Sequence, residues 1–244
     1  MNGEGTGRFL DYDALHQWSI ENPADFWSAY WDFAELQASH KGAIAVEDLD
    51  QFPGARWFPE AKLNYAENLL TTRSSKTAFV SILENGERRS ISYEQLYSET
   101  GNVQSLLKSH VSMGDRVAGW LPNTIETAVA MLATSSLGGV WSSCSPDFGI
   151  EGALDRFGQI EPKVLFACDG YFYAGKKIDR MPLVSDLVAK LPSLEATLIL
   201  PYLNDTPDCR KIPNAVLFET AVDTATPVEG FTRIGFNDPL SSTL

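Results

Sequence analysis

Short, nearly uninterrupted apolar runs recur along the middle of the chain. Three of them start at Val117, Val140 and Val164, about 23–24 residues apart, a spacing that fits one strand followed by one crossover helix. A fourth run, "ATLIL", begins at Ala196. The runs are continuous rather than alternating, which is typical of parallel strands covered on both faces. The pattern therefore predicts four neighbouring strands of a parallel sheet.

The segments between these runs have helical periodicity and recognisable helix ends. One helix is predicted between Asn123, a candidate N-cap, and Gly138, a candidate stop. Before it, "AFVSIL" predicts a strand, and Ser92 with Gln95 has the spacing of a capping box. Strands that alternate with helices predict an α/β fold, a doubly wound, mostly parallel sheet with flanking helices.

The N-terminal part of the chain is helical and rich in aromatic residues. Helical spacing extends over residues 11–36, with Pro23 at a predicted helix start. We interpret residues 1–70 as a helical and extended cover segment that precedes the sheet. Helical spacing favours an aromatic face packed on a core, and the alternative is an exposed surface that stacks on a ligand. The aromatic residues are Trp18, Phe26, Trp27, Tyr30, Trp31 and Phe33.

Small polar residues stand where the predicted central strands end. The ranges 120–123, 142–145 and 168–170 each close an apolar run. In open α/β sheets, ligands bind outside the carboxyl ends of the strands, where loops replace packed core. The residues indicate a ligand site at this edge. The alternative is that Ser145 caps the next helix while the other serines fill tight turns, and the residues alone leave both interpretations open.

Charge and cysteine content narrow the range of partners and locations. The 244 residues carry a formal net charge of −13, so nucleic acid and anionic membranes are poor partners, since both are themselves anionic. The three cysteines have no pairing or metal spacing, which fits a reducing compartment. The sequence shows no secretory signal and no window of about 18 apolar residues. We therefore expect a cytoplasmic protein, in the cytosol, without a membrane span.

An anionic ligand would need local positive charge in so acidic a chain. The densest cations follow the third central run, in "GYFYAGKKIDR". A loop of this kind could stack on an adenine and attract its phosphates, although lysines read alone are more often solvated loop charges. There is no Walker loop and no GxGxxG, HExxH or GxSxG motif. The aromatic, cationic and expected flexible glycine positions are Tyr171, Phe172, Tyr173, Lys176, Lys177, Arg180, Gly170 and Gly175.

Three stretches carry a family resemblance. "WFPEAKLNYAENLL", residues 57–70, resembles the cover segment of the acetyl-CoA and acetoacetyl-CoA synthetases. "WSSCSPDFG", residues 141–149, and "FGQIEPKVLF", residues 157–166, are similar to the acetoacetyl-CoA synthetases in particular. The resemblance extends over nearly the whole chain. It implies an adenylate-forming acyl-CoA synthetase, with the cover segment at 1–70 and an incomplete N-terminal part of the AMP-binding domain at 71–244.

The resemblance also implies an activity. Members of this family use ATP and Mg²⁺ to convert a carboxylic acid to an acyl-adenylate, and coenzyme A then displaces AMP to form a thioester. For this chain the resemblance implies acetoacetate, with acetate or propionate as alternatives, and only small-molecule substrates as partners. It assigns no catalytic residue or metal ligand within the chain. Tyr173 stands where acetyl relatives carry an arginine for the 3′-phosphate, whereas Lys176 keeps the charge. The implied coenzyme A contacts are Trp141, Ser142, Ser143, Tyr173, Lys176 and Lys177.

The sequence departs from the family pattern at its last residues. Family members continue after "DPL" with an apolar strand and a phosphate loop, followed by the adenine and ribose motifs and a C-terminal domain that carries the adenylating lysine. Here the sequence reads "FNDPLSSTL". We therefore expect an incomplete enzyme, inactive by itself and prone to self-association through its incomplete sheet. A truncated non-catalytic product, an altered reading and an artificial boundary remain the open alternatives.

Overall fold

The structure is a computed structural model that describes residues 9–223 and 230–243. The chain divides into two compact units, Met1–Asn64 with Arg233–Asp238 and Tyr65–Thr232 with Pro239–Leu244. The helices are α1 (Tyr12–Glu21), α2 (Pro23–Phe33), α3 (Tyr65–Leu69), α4 (Tyr93–Leu107), α5 (Ile125–Ser136), α6 (Ile150–Ile160), α7 (Met181–Ala189) and α8 (Phe218–Asp223). The strands are β1 (Ala38–His40), β2 (Val46–Glu47), β3 (Arg56–Trp57), β4 (Lys62–Leu63), β5 (Thr77–Ile82), β6 (Arg88–Ser92), β7 (Arg116–Trp120), β8 (Val140–Cys144), β9 (Val164–Cys168), β10 (Gly170–Tyr173), β11 (Lys176–Asp179), β12 (Ala196–Leu200), β13 (Ala215–Leu217) and β14 (Ile234–Gly235).

The second unit is built on a five-stranded parallel sheet. Its strand order is β13–β12–β9–β7–β8. Val117 of β7 lies opposite Val164 on one side and Trp141 on the other. The four predicted apolar runs form β7, β8, β9 and β12, so the predicted parallel sheet is confirmed. The fifth strand, β13, is short and pairs in parallel with β12 at one edge of the sheet.

Helices cover both faces of this sheet. On one face, Val117 and Phe166 join a core that includes Val129 of α5. On the other face, Leu165 joins a core that includes Phe157 of α6 and residues of α7. Because successive residues of a strand point to opposite faces, each strand supplies side chains to both cores. The predicted doubly wound fold is confirmed.

The direction of the chain through the sheet reverses between β7 and β9. From β7 the chain passes through α5 to β8 at one edge, and from β9 it passes through α7 to β12 on the opposite side. At such a switch point the two crossover connections separate, which opens a crevice outside the carboxyl ends of the strands. The topology therefore places the candidate site at the carboxyl ends of β7, β8 and β9.

Local hydrogen bonds explain where the helices of this unit begin and end. The predicted capping box at Ser92 is present and begins α4. The predicted cap at Asn123 is wrong by one residue, since Thr124 caps α5 and its side chain accepts the backbone N–H of Thr127. Gly138, with a φ of 72°, follows the end of α5 in the left-handed conformation that favours glycine.

Two antiparallel hairpins lie outside the parallel sheet. The strand predicted from "AFVSIL" is β5, which pairs with β6. The segment that we expected to be a flexible loop is a hairpin of β10 and β11, closed by Ala174 and Gly175 at φ values of 47° and 74°. Gly170 is not a flexible point: a Cβ there would lie 2.4 Å from the carbonyl oxygen of Ile178. Close packing of the backbone explains this glycine.

The first unit contains α1, α2 and short strands. Pro23 begins α2, as predicted. Trp31 of this helix is buried, and its ring centroid lies 4.7 Å from that of Phe58, which in turn lies 5.2 Å from that of Phe236. Phe33 is 65 % exposed. The interpretation that the aromatic face packs on a core therefore holds for Trp31 and not for Phe33.

The segment from Leu240 to Ser242 lies beside β8. The backbone N–H of Trp141 donates to the Leu240 carbonyl at 3.1 Å, and the Ser242 N–H donates to the Trp141 carbonyl at 2.9 Å. These bonds form a parallel bridge between Trp141 and Ser241, so the edge strand β8 is paired at this point. Self-association through the edge stays a prediction. Within the described residues, no helix has both the length and the hydropathy needed to cross a membrane.

Candidate functional site

A groove lies at the carboxyl ends of β7 and β8. It consists of two neighbouring cavities of about 370 Å³ and 160 Å³. Asn123, Thr127 and Ser143 line both cavities, and we call this feature the strand-end groove. Asn123 and Ser143 are exposed, and Thr127 donates its hydroxyl hydrogen to the Pro122 carbonyl at 2.7 Å. The groove therefore presents an amide and hydroxyl groups to a ligand.

Trp141 forms a wall of the groove and holds Ser143 at its surface. The indole is 5 % exposed, and its Nε1 donates to Ser143 Oγ at 3.2 Å. Its ring lies over the neighbouring strand at Gly119, where an added Cβ would come within 2.6 Å of Trp141 Cζ2. A glycine is therefore needed on β7 for the indole to occupy this position.

Ser142 does not face the groove with its two neighbours. It is buried, and it lies opposite Ala118, which belongs to the core on the other face of the sheet. Alternation along a strand places Trp141 and Ser143 on one face and Ser142 on the other. The resemblance implied both serines as coenzyme A contacts, but only Ser143 lines the described groove and Ser142 lies on the opposite face of β8.

The loop after β8 is tied to the end of β7. The indole Nε1 of Trp120 donates to the Ser145 carbonyl at 3.1 Å. The backbone N–H of Phe148 donates to the same carbonyl at 3.2 Å, which closes a tight turn. The N-cap of α6 is Gly149, so the alternative in which Ser145 caps this helix is not what the structure shows.

The β10–β11 hairpin carries the predicted basic cluster. Tyr173 is paired with Lys176 next to the turn and is 66 % exposed. Lys177 Nζ lies 3.4 Å from the Leu203 carbonyl oxygen and 5.9 Å from the centroid of the Phe172 ring. The Lys176 side chain is exposed and makes no hydrogen bond or ion pair with any described residue. The hairpin therefore presents two ammonium groups on a defined β-structure rather than on a mobile loop.

A buried carboxylate organises the loop behind this hairpin. Asp169 is fully buried and follows β9 directly. Its two oxygens accept the backbone N–H groups of Tyr202, Leu203 and Asn204 at 2.8, 2.8 and 2.9 Å, and the Asn204 side-chain amide at 2.9 Å. Leu203 is also the residue that contacts Gly170 and Lys177. Asp169 therefore fixes the loop against which the hairpin packs.

Cys144 lies beside the groove but is not a candidate nucleophile. It lines the smaller cavity with Ser143 and Ser145. Burial raises the pKa of its thiol to about 11, and the charges of Arg156 and Arg180 oppose this rise only in part. The thiol is therefore protonated at neutral pH and reacts slowly. In the described part of the chain, no group of three or more His, Cys, Asp or Glu residues is placed to hold a metal ion.

Sequence reasoning located most of this edge but missed two of its parts. It singled out Trp141, Ser143 and the two lysines. It placed Trp120 and Asp169 at strand ends but did not identify which groups they hold, since their partners are mainly backbone groups distant in the sequence. One signal was available for Asp169, namely an acidic residue placed directly after a fully apolar strand.

The fold and the groove define an α/β protein with a candidate ligand site at the carboxyl edge of a doubly wound sheet. Residues 66–224 match the family described as AMP-binding enzyme, and residues 12–69 match the acetyl-coenzyme A synthetase N-terminus. The first match covers more than half of the chain, so the chain belongs to the AMP-binding enzyme family.

Individual relatives agree with the resemblance found in the sequence. The acetoacetyl-coenzyme A synthetase of Rhizobium meliloti (strain 1021) is 44% identical over 207 residues, which are 84% of this chain and 31% of the relative. The malonamoyl-CoA synthetase vrtB of Penicillium aethiopicum is 36% identical over 197 residues, 78% of this chain and 27% of the relative. The solved acetoacetyl-CoA synthetase from Streptomyces lividans has a TM-score of 0.88 at 38% identity, over 97% of this chain and 36% of that one. The chain thus spans about a third of the length of these proteins, and the predicted resemblance to acetoacetyl-CoA synthetases is confirmed.

Proposed function

We propose that this chain is part of an AMP-forming acid–thiol ligase that converts acetoacetate, ATP and coenzyme A to acetoacetyl-CoA, AMP and pyrophosphate. Within it, we assign the strand-end groove and the β10–β11 hairpin to the coenzyme A site, and residues 1–70 and 71–244 to the cover segment and the AMP-binding domain. The observation that carries the proposal is that the hairpin with the two lysines follows β9, at the same carboxyl edge of the sheet where β7 and β8 end in the hydroxyl-lined groove.

Electrostatics supports the assignment of the hairpin. The chain has a net charge of −13, so its overall field repels a nucleotide that carries several phosphate charges. Lys176 and Lys177 offer local attraction, and the amino groups need only limited rearrangement because they are exposed. The exposed ring of Tyr173 gives an adenine a surface on which to stack. This combination suits an adenosine 3′,5′-bisphosphate, the nucleotide end of coenzyme A.

The groove suits the remainder of coenzyme A. The pantetheine arm is a flexible chain with two amide groups, which need hydrogen-bond partners when they leave water. Asn123 and Ser143 are exposed in the groove, and the Trp141 indole gives it an apolar wall. We assign Trp141 and Ser143 to this contact, whereas Ser142 would act only through the buried face of β8.

The reaction divides into two balanced steps. The acid oxygen attacks the α-phosphate of ATP, which forms the acyl-adenylate and releases pyrophosphate. The thiol sulfur of coenzyme A then attacks the acyl carbon, which forms the thioester and releases AMP and a proton. We assign this chain a binding role in the second step. Mg²⁺ as the companion of ATP stays a prediction, as does a cytosolic location.

The identity of the acid is the least constrained part of the proposal. A malonamoyl-CoA synthetase is nearly as similar to this chain as several acetoacetyl-CoA synthetases are. The ligase class is therefore better supported than acetoacetate itself, and acetate or propionate remain the alternatives from the sequence. A non-catalytic truncated product remains the alternative from outside the ligases.

Protection of Cys144 from alkylation tests the assignment of the site. Desulfo-coenzyme A lacks the thiol and so does not consume the reagent. The 244-residue chain is treated with iodoacetamide at about pH 9, where some thiolate is present, and each cysteine is followed by mass spectrometry of its peptide. Bound desulfo-coenzyme A should slow the alkylation of Cys144 and leave Cys209 unchanged. Lys176→Ala with Lys177→Ala should abolish the protection.

Two controls separate a specific site from a general effect of charge. The control variant Lys108→Ala with Lys190→Ala also removes two positive charges from exposed positions. Desulfo-coenzyme A should still protect Cys144 in this variant. AMP, which has no 3′-phosphate, should protect less than desulfo-coenzyme A. Equal protection by AMP, or no protection of Cys144 by desulfo-coenzyme A at saturating concentration, would refute the assignment.

A further inference from the structure

A buried arginine links the hairpin to the loop beside the groove. Arg180 follows β11 and is 7 % exposed. Its guanidinium carbon lies 4.5 Å from the centroid of the Trp120 ring, and its Nη2 donates to the Phe148 carbonyl at 2.6 Å. Its backbone N–H donates to the Asp169 carbonyl at 2.8 Å. One residue thus connects the ends of β7, β9 and β11 with the loop after β8.

The surroundings of this side chain are unusual for an arginine. No carboxylate among the described residues lies within ion-pair distance of Arg180. Its Nε is buried and has no hydrogen-bond partner in the described part of the chain. Burial of a cation with neither a counter-charge nor a full set of acceptors is unfavourable, so stability alone does not account for an arginine here.

The contacts of the same loop show what the arginine holds. The indole of Trp120, on which the guanidinium lies, donates to the Ser145 carbonyl. Arg180 donates to the Phe148 carbonyl, three residues further along the chain. The two donors therefore fix both ends of the turn from Ser145 to Phe148. This turn follows Cys144 directly and lies at the smaller cavity of the strand-end groove, which Ser145 lines.

We propose that Arg180 is a positioning residue, which holds the turn from Ser145 to Phe148 at the groove and couples its position to the β10–β11 hairpin. The role of this coupling in ligand binding depends on the proposed coenzyme A site. A ligand that contacts both Lys176 and Ser143 would meet a preformed site, because Arg180 fixes the hairpin and the turn relative to each other.

The test uses Cys144 as a reporter of the turn, without any ligand. Arg180→Met keeps the length and much of the volume of the side chain but removes the bond to Phe148. If the turn is released, Cys144 should be alkylated about tenfold faster, as expected for a local opening, while the buried Cys168 stays protected. The positive charge of Arg180 lowers the pKa of the Cys144 thiol and so favours the reactive thiolate. Removing this charge alone would therefore slow the alkylation of Cys144. Release of the turn would speed it, so the measured rate tells the two effects apart.

A matched variant controls for general destabilisation. Arg116 lies at the other end of β7 and also bonds backbone carbonyls, with its Nε 2.5 Å from the Ile160 oxygen. Arg116→Met should leave the rate at Cys144 unchanged. Faster alkylation of Cys144 and Cys168 in parallel would show global loosening and overturn the proposal, as would an unchanged or slower rate at Cys144 in Arg180→Met.

A second measurement connects the turn to the ligand. The concentration of desulfo-coenzyme A that protects Cys144 by half should rise in Arg180→Met relative to the unsubstituted chain. If the rate without ligand rises but this concentration does not change, Arg180 holds the turn without serving the site, and the proposal is overturned. If the unsubstituted chain shows no protection, the proposed function fails, whereas the rate without ligand still reports on the turn.

Discussion

The buried carboxylate of Asp169 offers the sharpest test of how the carboxyl edge is held together. Asp169→Asn keeps the size of the side chain but replaces one acceptor oxygen by an amide group that can only donate. One of the two oxygens accepts both bonds from Asn204, from its backbone N–H and its side-chain amide, at 2.9 Å each. If the new amide takes that place, both bonds from Asn204 are lost and donors face donors. If it takes the other place, the bonds from Tyr202 and Leu203 are lost instead.

Either orientation removes two hydrogen bonds to a charged group. Each is worth roughly 1.5–3 kcal/mol, so about 3–6 kcal/mol is at stake. A neutral amide is cheaper to bury than a carboxylate, which offsets part of the loss, and we expect the free energy of unfolding to fall by about 3 kcal/mol. Asn204→Ala, which removes only the bond from an exposed side chain, should cost about 1 kcal/mol.

Urea unfolding followed by tryptophan fluorescence measures both variants. Amide hydrogen exchange at Tyr202, Leu203 and Asn204 detects a loop that opens while the sheet stays folded. A reduction of less than about 1 kcal/mol in Asp169→Asn, together with unchanged exchange at these three amides, would show that the carboxylate does not hold the loop.

Two further substitutions test the packing and the electrostatics of the same unit. Gly119→Ala places a Cβ 2.6 Å from the Trp141 ring and should lower the unfolding free energy by about 1–3 kcal/mol. Gly158 has open space around it, so Gly158→Ala should instead raise the unfolding free energy by about 0.5–1 kcal/mol. Equal effects of the two substitutions in urea unfolding would contradict this. Burial and the neighbouring charge of Glu126 raise the pKa of Glu99 above its ordinary value, so the charged form destabilises the folded state once the pH exceeds the unfolded pKa. Glu99→Gln should therefore raise the melting temperature at pH 7 and lose this advantage as the pH falls below about 4, and no gain at pH 7 would refute the reasoning.

Patterns that a strand or helix carries within itself were predictable from the sequence. The runs beginning at Val117 and Val164 are buried along their whole length, so each is apolar throughout and can be recognised from its own residues. The box at Ser92 likewise depends on residues only three apart. Features of this kind fixed the α/β class, the parallel sheet and the location of its carboxyl edge.

Features that depend on distant partners were not predictable in the same way. The β10–β11 hairpin reads as a loop because its turn is Ala174–Gly175 rather than a more common turn pair, and its strands are short. Ser142 was grouped with Ser143 because both are serines at a strand end, although strand alternation separates them. The position of Arg180 on Trp120 depends on the meeting of two strand ends that are about 60 residues apart in sequence.

A chimera tests the central claim, that this chain carries a working part of a coenzyme A site, most directly. In the Streptomyces lividans acetoacetyl-CoA synthetase, the part that matches this chain, which is 36% of that protein, would be replaced by this chain. With acetoacetate and ATP, the chimera should release AMP only when coenzyme A is present. Lys176→Ala with Lys177→Ala should raise the KM for coenzyme A by about tenfold, equivalent to 1.4 kcal/mol, and leave acetoacetate-dependent pyrophosphate exchange intact. A folded chimera that exchanges pyrophosphate but forms no thioester, or a double variant that loses exchange while its KM for coenzyme A stays unchanged, would contradict the account.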